Sequence, residues 1–172
     1  MRIVSLLIAL LALIGTAAAQ SPTNLITPAP NKATYEDATF DTSKGLKLYL
    51  DTAGLATEDI ARLTAAAHSV GIDLREVASL PKRGYLHLHT DHNIESEEGY
   101  VLDIERHGIS LRATSAAGIY YGLQSLRQMV EASPAVPHCH IEDSPAYGYR
   151  GVLIDISRHF RTVEFLKRQI DM

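Results

Sequence analysis

Apolar and polar residues alternate in Leu46-Lys47-Leu48-Tyr49-Leu50, which sets three leucines on one side of an extended chain and predicts a half-buried strand. The period then changes. Ile60, Leu63, Ala67 and Val70 recur at helical spacing, Thr57 is suited to cap the helix, Glu58 and Asp59 suit the positive end of its dipole, and Gly71 can stop it. Strand-like pieces follow at residues 74–77 and 85–90. Tyr100-Val101-Leu102-Asp103-Ile104 and Ile109-Ser110-Leu111-Arg112-Ala113 read as two arms of a hairpin about a turn at His107-Gly108. A second helix is predicted from Ser115 to about Glu131, with Ile119, Leu123, Leu126 and Val130 as its buried stripe and Gln124, Arg127 and Gln128 toward water. Gly118 and Gly122, one turn apart, let that helix approach a sheet closely. Ahead of all these, Leu25-Ile26 is the lone apolar pair in a stretch rich in Pro, Thr and Asn. It reads as a short opening strand followed by a loop to about Lys32.

The pattern changes character at Ser144-Pro145. Gly151-Val152-Leu153-Ile154-Asp155-Ile156 is almost continuously apolar, the composition of a strand buried on both faces in a parallel sheet or barrel. Arg158-His159-Phe160-Arg161 forms a loop, and Thr162 can cap a helix carrying Val163, Leu166 and Ile170 on one face. The chain ends at Met172 inside that pattern, which reads as a truncation, because a helix this short with an uncovered apolar face is marginal in water. Strands paired with intervening helices predict an α+β architecture: a mainly antiparallel sheet with helices packed on one face.

Composition narrows the function. Arg2, an apolar run over residues 3–14 and Ala17-Ala18-Ala19 follow the layout of a secretory signal peptide, and the run is shorter than the ~20 apolar residues that span a bilayer. An exported protein, periplasmic or secreted, with no membrane association after removal of residues 1–19 is therefore expected. Removing them takes one of the 16 basic residues and none of the 20 acidic ones, so the net charge goes from −4 to −5. That balance, with no basic block, argues against nucleic acid as a partner. Cys139 is the single cysteine and cannot form an intrachain disulfide, so stability rests on a packed core.

Two stretches carry a resemblance. Glu97-Glu98-Gly99-Tyr100-Val101-Leu102, Gly108-Ile109-Ser110-Leu111 and Gly118-Ile119-Tyr120-Tyr121-Gly122-Leu123-Gln124-Ser125-Leu126 resemble the non-catalytic α/β domain that precedes the barrel in glycoside hydrolase family 20 β-N-acetylhexosaminidases. Ile141-Glu142-Asp143-Ser144-Pro145, then Tyr149-Arg150-Gly151-Val152-Leu153-Ile154-Asp155-Ile156-Ser157-Arg158-His159-Phe160, is similar to that family's start of its catalytic (β/α)8 barrel. The resemblance implies three segments: a signal peptide (1–19), a non-catalytic domain (20–145) and the first βα unit of an incomplete (β/α)8 barrel (146–172). It also implies a substrate class, terminal β-linked N-acetylglucosamine or N-acetylgalactosamine on glycans or chitin-type oligosaccharides. The implied chemistry is retaining and needs no cofactor: the sugar's own acetamido oxygen attacks the anomeric carbon, an Asp orients it, and an adjacent Glu protonates the leaving oxygen. That Asp-Glu pair lies later in the family's barrel. No Asp-Glu dipeptide and no tryptophan occur in the 172 residues, and a barrel needs ~250 residues, so this chain alone is expected to be inactive and to contain no catalytic residue. The rival reading is a stand-alone, non-catalytic carbohydrate-binding or interaction module.

Among individual residues, the resemblance marks Arg150 as a substrate contact, its planar fork of donors meeting hydroxyls of the terminal sugar; the alternative is an arginine that anchors a strand end by ion pairing. Asp155, Arg158 and His159 are expected to support the first βα loop rather than to act on substrate. His87, His89 and His92, with Asp91 between them, have the spacing of a strand face that zinc could use, but a solvated face accounts for them better and no metal site is expected. His138 and His140 around Cys139 are read in the same way. Tyr120-Tyr121 either stacks on a sugar or, the preferred account, packs the helix on the sheet.

Overall fold

The computed structural model describes residues 25–51 and 53–170; the expected signal segment lies outside the described residues. Seven strands, β1 (Lys32–Asp41), β2 (Leu46–Leu50), β3 (Leu74–Glu76), β4 (Tyr85–Thr90), β5 (Tyr100–Glu105), β6 (Gly108–Ala113) and β7 (Ala135–Asp143), make one sheet in the order β1-β7-β5-β6-β4-β2-β3. The helices are α1 (Thr57–His68), α2 (Ala116–Ala132) and α3 (Val163–Ile170). The α+β class stands, and the sheet is mixed. The ladders β1–β7, β7–β5 and β5–β6 are antiparallel, whereas β6–β4, β4–β2 and β2–β3 are parallel. The β2–β3 parallel pair follows from α1, which lies between the two strands in the chain and returns it to run in the same direction.

Period-2 alternation sends Leu46 and Leu48, Leu86 and Leu88, Leu102 and Ile104, Ile109 and Leu111, and Ile141 to one face, where they are buried. Leu63 and Ala67 of α1 and Ile119, Leu123, Leu126 and Met129 of α2 complete that core. Each such Leu or Ile contributes roughly 1.5–3 kcal/mol of burial, which fixes the register, since a one-residue slip would turn the whole set to the other side. The close approach expected of α2 is present. A Cβ on Gly118 would stand 2.3 Å from the Gly99 carbonyl oxygen and 2.7 Å from Ala113 Cβ, and one on Gly122 would stand 2.3 Å from Leu111 Cδ1. Ser115 caps this helix, its Oγ accepting from the Ala117 and Gly118 amides at 3.1 and 3.4 Å.

Several boundaries differ from expectation. Leu25-Ile26 forms no strand; the segment bends and Ile26 is buried as a plug over the core. The first strand is instead β1, within which only Phe40 is fully buried and whose register shifts between Tyr35 and Thr39. A polar, bulged edge strand has little apolar signal to read. Helix α1 is preceded by Ala56, which makes no side-chain cap, and Thr57 is already helical. The β5–β6 turn is at Arg106-His107, because Gly108 pairs with Glu105 and leaves room for the Tyr85 ring, 2.7 Å from where a Cβ would stand.

Residues 151–156 form no strand in this chain, and Val152 and Leu153 are 89% and 97% exposed. A strand of this composition needs neighbours on both edges to take its N–H and C=O groups, and the described residues supply none there. Thr162 caps α3 as expected, its Oγ1 accepting from the Phe165 amide at 3.2 Å, but no residue of α3 is buried.

Candidate functional site

A cleft of about 410 Å³ opens between the bent segment 26–31, one side of α2, and the chain that leaves β7. Its floor is a hydrogen-bond relay that starts in the core and runs out to the surface. The Ser125 and Tyr100 hydroxyls are 2.7 Å apart, Tyr100 donates onward to Asp143 Oδ2 at 3.4 Å, and Asp143 Oδ1 accepts from the Asn31 amide at 3.0 Å. Burial of the Tyr100 phenol is the main reason its pKa is raised, so it stays a neutral donor. The same relay ties the N-terminal segment to the end of β7, with Asn31 Nδ2 donating to the Ser144 carbonyl at 2.8 Å.

Arg150 stands on the rim of this cleft. Its Nη2 lies 2.7 Å from Glu98 Oε1 and 3.5 Å from the Tyr121 hydroxyl, and its Nη1 donates to the Tyr147 carbonyl at 2.6 Å. Tyr121 also donates to Glu98 Oε1 at 3.1 Å. The hydrogen bond from Arg150 is the chief cause holding the Glu98 carboxyl below its usual range, and the same bond raises Arg150. Glu98 stands in the Glu97-Glu98-Gly99 stretch, but its pairing is not readable there, because its partner is 52 positions away. Three of the five N–H donors of the guanidinium have partners among the described residues. Tyr121 is therefore a polar partner as well as a packing residue, while Tyr120 meets it edge-on at 6.1 Å.

Asp155, Arg158 and His159 are not gathered around Arg150 in one cluster. Asp155 Oδ1 accepts from the Ser157 and Arg158 amides at 2.8 and 3.3 Å, and Asp155 Oδ2 pairs with Arg158 Nε at 2.8 Å. These contacts hold the local turn. His159 is exposed.

The helix-free face of the sheet carries His87, His89 and His140, whereas His92 is exposed in the turn after β4. The rings of His87 and His89 stack at 4.3 Å and 14°, with Tyr49 5.1 Å from His87. Beside them runs a chain of alternating charge: Lys32 to Glu142 at 2.9 Å, Glu142 to His140 Nε2 at 2.8 Å, His140 Nδ1 to Asp103 at 2.5 Å, Asp103 to Arg112 at 2.9 Å, and Arg112 to Asp91 at 3.5 Å. Both nitrogens of His140 face carboxylates, so the ring can donate to both only as the imidazolium, and its pKa is raised, first by Glu142 and then by Asp103. His87 goes the other way. Desolvation, then the neighbouring His89, lowers it to about 4, and its Nε2 is buried without a hydrogen-bond partner among the described residues.

These opposed shifts set a pH dependence. With an unfolded histidine near 6.5, the His140 contribution is complete below that pH and is lost as pH rises through the raised folded value. The His87 contribution is complete above 6.5 and is lost as pH falls toward 4. Thermal melts across pH 4–8 are expected to peak near 6.5, with His140→Gln flattening the alkaline limb and His87→Gln the acid limb. An alkaline limb unchanged in His140→Gln would contradict the assignment.

Seen against known proteins, residues 23–144 match the family described as Glycosyl hydrolase family 20, domain 2. The chain belongs to glycosyl hydrolase family 20. A β-hexosaminidase of Porphyromonas gingivalis is 32% identical over 161 residues, covering 86% of this chain and 20% of that protein. The N-acetyl-β-hexosaminidase of Streptomyces plicatus, solved with Thio-NAglucal, superposes with a TM-score of 0.70 at 29% identity over 88% of this chain and 32% of its own. A family 20 exo-β-N-acetylglucosaminidase of Vibrio harveyi, solved with N-acetylglucosamine, gives a TM-score of 0.61 at 27% identity over 87% and 23%. The chain thus spans a third or less of each family 20 relative. The seven-stranded sheet and its helices are the part they share with it.

Proposed function

We propose that this chain is the exported N-terminal portion of a β-N-acetylhexosaminidase, with a signal peptide at 1–19, a non-catalytic domain at 20–145 and the opening of a catalytic barrel at 146–172. The complete enzyme would release terminal β-linked N-acetylglucosamine or N-acetylgalactosamine from glycans or chitin-type oligosaccharides. The acetamido oxygen of the substrate forms the new bond to the anomeric carbon as the glycosidic bond breaks, and an enzyme carboxylic acid protonates the departing oxygen. Arg150 is the substrate contact in this chain, and Asp155, Arg158 and His159 support the loop that follows it. The observation that carries the reading is one of continuity: the domain 2 match over 23–144 is followed at once by Arg150-Gly151, Asp155 and Arg158-His159-Phe160, with Arg150 on the rim of the cleft that domain and segment share.

The 172-residue chain has no Asp-Glu pair to carry the acid step. Purified chain is therefore expected to leave a chromogenic β-N-acetylglucosaminide unhydrolysed, while the genomic reading frame past Met172 is expected to continue and to encode Asp-Glu and tryptophans. Turnover above background by the 172-residue chain, or a stop codon directly after Met172, would remove this reading.

A further inference from the structure

Glu98 belongs to no strand or helix, yet its backbone is fixed on both sides. Ser115, the cap of α2, donates its hydroxyl to the Glu97 carbonyl at 2.5 Å, and Gly118 lets the Gly99 carbonyl sit where any larger residue would place its Cβ. The rest of the connection from β4 is held too. Asp91 accepts from the Asn93 amide at 3.0 Å, the Gly99 amide donates to the Ser96 carbonyl at 3.0 Å, and the Thr114 hydroxyl donates to the Ile94 carbonyl. The result is a rigid mount, and what it presents is one carboxylate oxygen that receives both Arg150 and Tyr121. Tyr121 is on α2 as well, so the helix that pins the backbone beside Glu98 also supplies one partner of its carboxylate.

We infer that Glu98 is a positioning residue for Arg150, through which the non-catalytic domain orients the guanidinium that meets the sugar. This rests on the reading of Arg150 as the substrate contact. A flexible arginine at a chain segment without regular structure would sample many rotamers, and immobilising it carries an entropic cost at each binding event. The 2.7 Å charge-assisted bond from Glu98 and the 2.6 Å bond to the Tyr147 carbonyl remove much of that freedom before substrate arrives. Among the described residues, the Nε–H and one Nη1–H of Arg150 have no partner, which leaves two donors on different edges of the guanidinium for sugar hydroxyls.

The test is a double-mutant cycle in the complete hexosaminidase that contains this chain, reading kcat/KM on a chromogenic β-N-acetylglucosaminide, the inhibition constant of free N-acetylglucosamine, and Tm. Glu98→Gln keeps shape and hydrogen-bonding capacity but removes the charge; it should cost roughly two- to tenfold in kcat/KM, mainly through KM, the range of a half-exposed ion pair. Inhibition by N-acetylglucosamine should weaken in parallel, and Tm should stay within a few degrees. In an Arg150→Ala background, Glu98→Gln should have no further effect on kcat/KM. If Arg150→Ala is damaging and Glu98→Gln is silent, the positioning role falls while the sugar contact stands. If Arg150→Ala is itself silent, the sugar contact falls and takes this inference with it. If Glu98→Gln costs the same with and without Arg150, Glu98 acts elsewhere and the inference is overturned.

Discussion

Gly118→Ala should lower the stability of this domain by about 2–4 kcal/mol, although alanine is the better helix former by about 1 kcal/mol. The reason is the neighbour. The new Cβ would lie 2.3 Å from a backbone oxygen, that of Gly99, and 2.7 Å from Ala113 Cβ, and neither can rotate away. Either α2 lifts off β5 and β6 or the 97–99 backbone moves. Gly122→Ala meets the Leu111 methyl groups, which can change rotamer, so its cost should be smaller, about 1 kcal/mol or less net. Gly148→Ala meets nothing within 4 Å and should be neutral. In thermal melts the first variant should lose roughly 5–15 °C, given ~2–4 °C per kcal/mol for a chain of this size. Equal losses at positions 118 and 122 would show that the close approach of α2 to Gly99 is not what the glycine serves. Because Glu98 sits between the two pinned residues, the same substitution should also disturb the Glu98–Arg150 pair.

How much of this was legible depended on the strength of the local pattern. Helices α1 and α2, strands β2 and β4 and the β5–β6 hairpin have clean helical or alternating periods, and each is found within a few residues of its expected limits. Strand β1 was not legible, because an edge strand exposing Lys32, Glu36 and Asp37 has no buried alternation to announce it. The parallel half of the sheet was equally hidden, since strand direction is set by the connections rather than by the strands' own residues. Gly151 to Ile156 show the opposite failure: a strand-like composition without a strand, because pairing needs partners that composition cannot supply. The motif marks Arg150, which lies on the rim of the cleft. The role of Glu98 is not legible, because an ion pair spanning 52 residues of sequence leaves no local signal. The charge chain across the open sheet face is hidden for the same reason: of its members, the sequence pattern marks only His140 and Asp91.

Arg150→Ala, made in the complete enzyme, should reduce kcat/KM by roughly ten- to several-hundred-fold, the effect of losing charge-assisted hydrogen bonds to sugar hydroxyls and leaving those hydroxyls poorly satisfied. Arg150→Lys should recover only part, because an ammonium can take the place of one arm of the fork but not of its planar pair of donors. The fold should survive both changes: the Arg150 side chain is 43% exposed, and its acidic partner among the described residues, Glu98, lies at the cleft rim. Tm is therefore the internal control. An arginine whose role is limited to its ion pair with Glu98 would reverse the pattern, with stability falling and the remaining folded enzyme keeping normal kinetics.

The most direct test of the account is a crystal structure of the complete hexosaminidase with N-acetylglucosamine bound. The account predicts the Arg150 guanidinium within hydrogen-bonding distance of two sugar hydroxyls, with Glu98 still on its other side and the Ser115–Glu97 and Gly118–Gly99 contacts intact. A sugar bound with Arg150 out of reach and turned wholly onto the non-catalytic domain would contradict it.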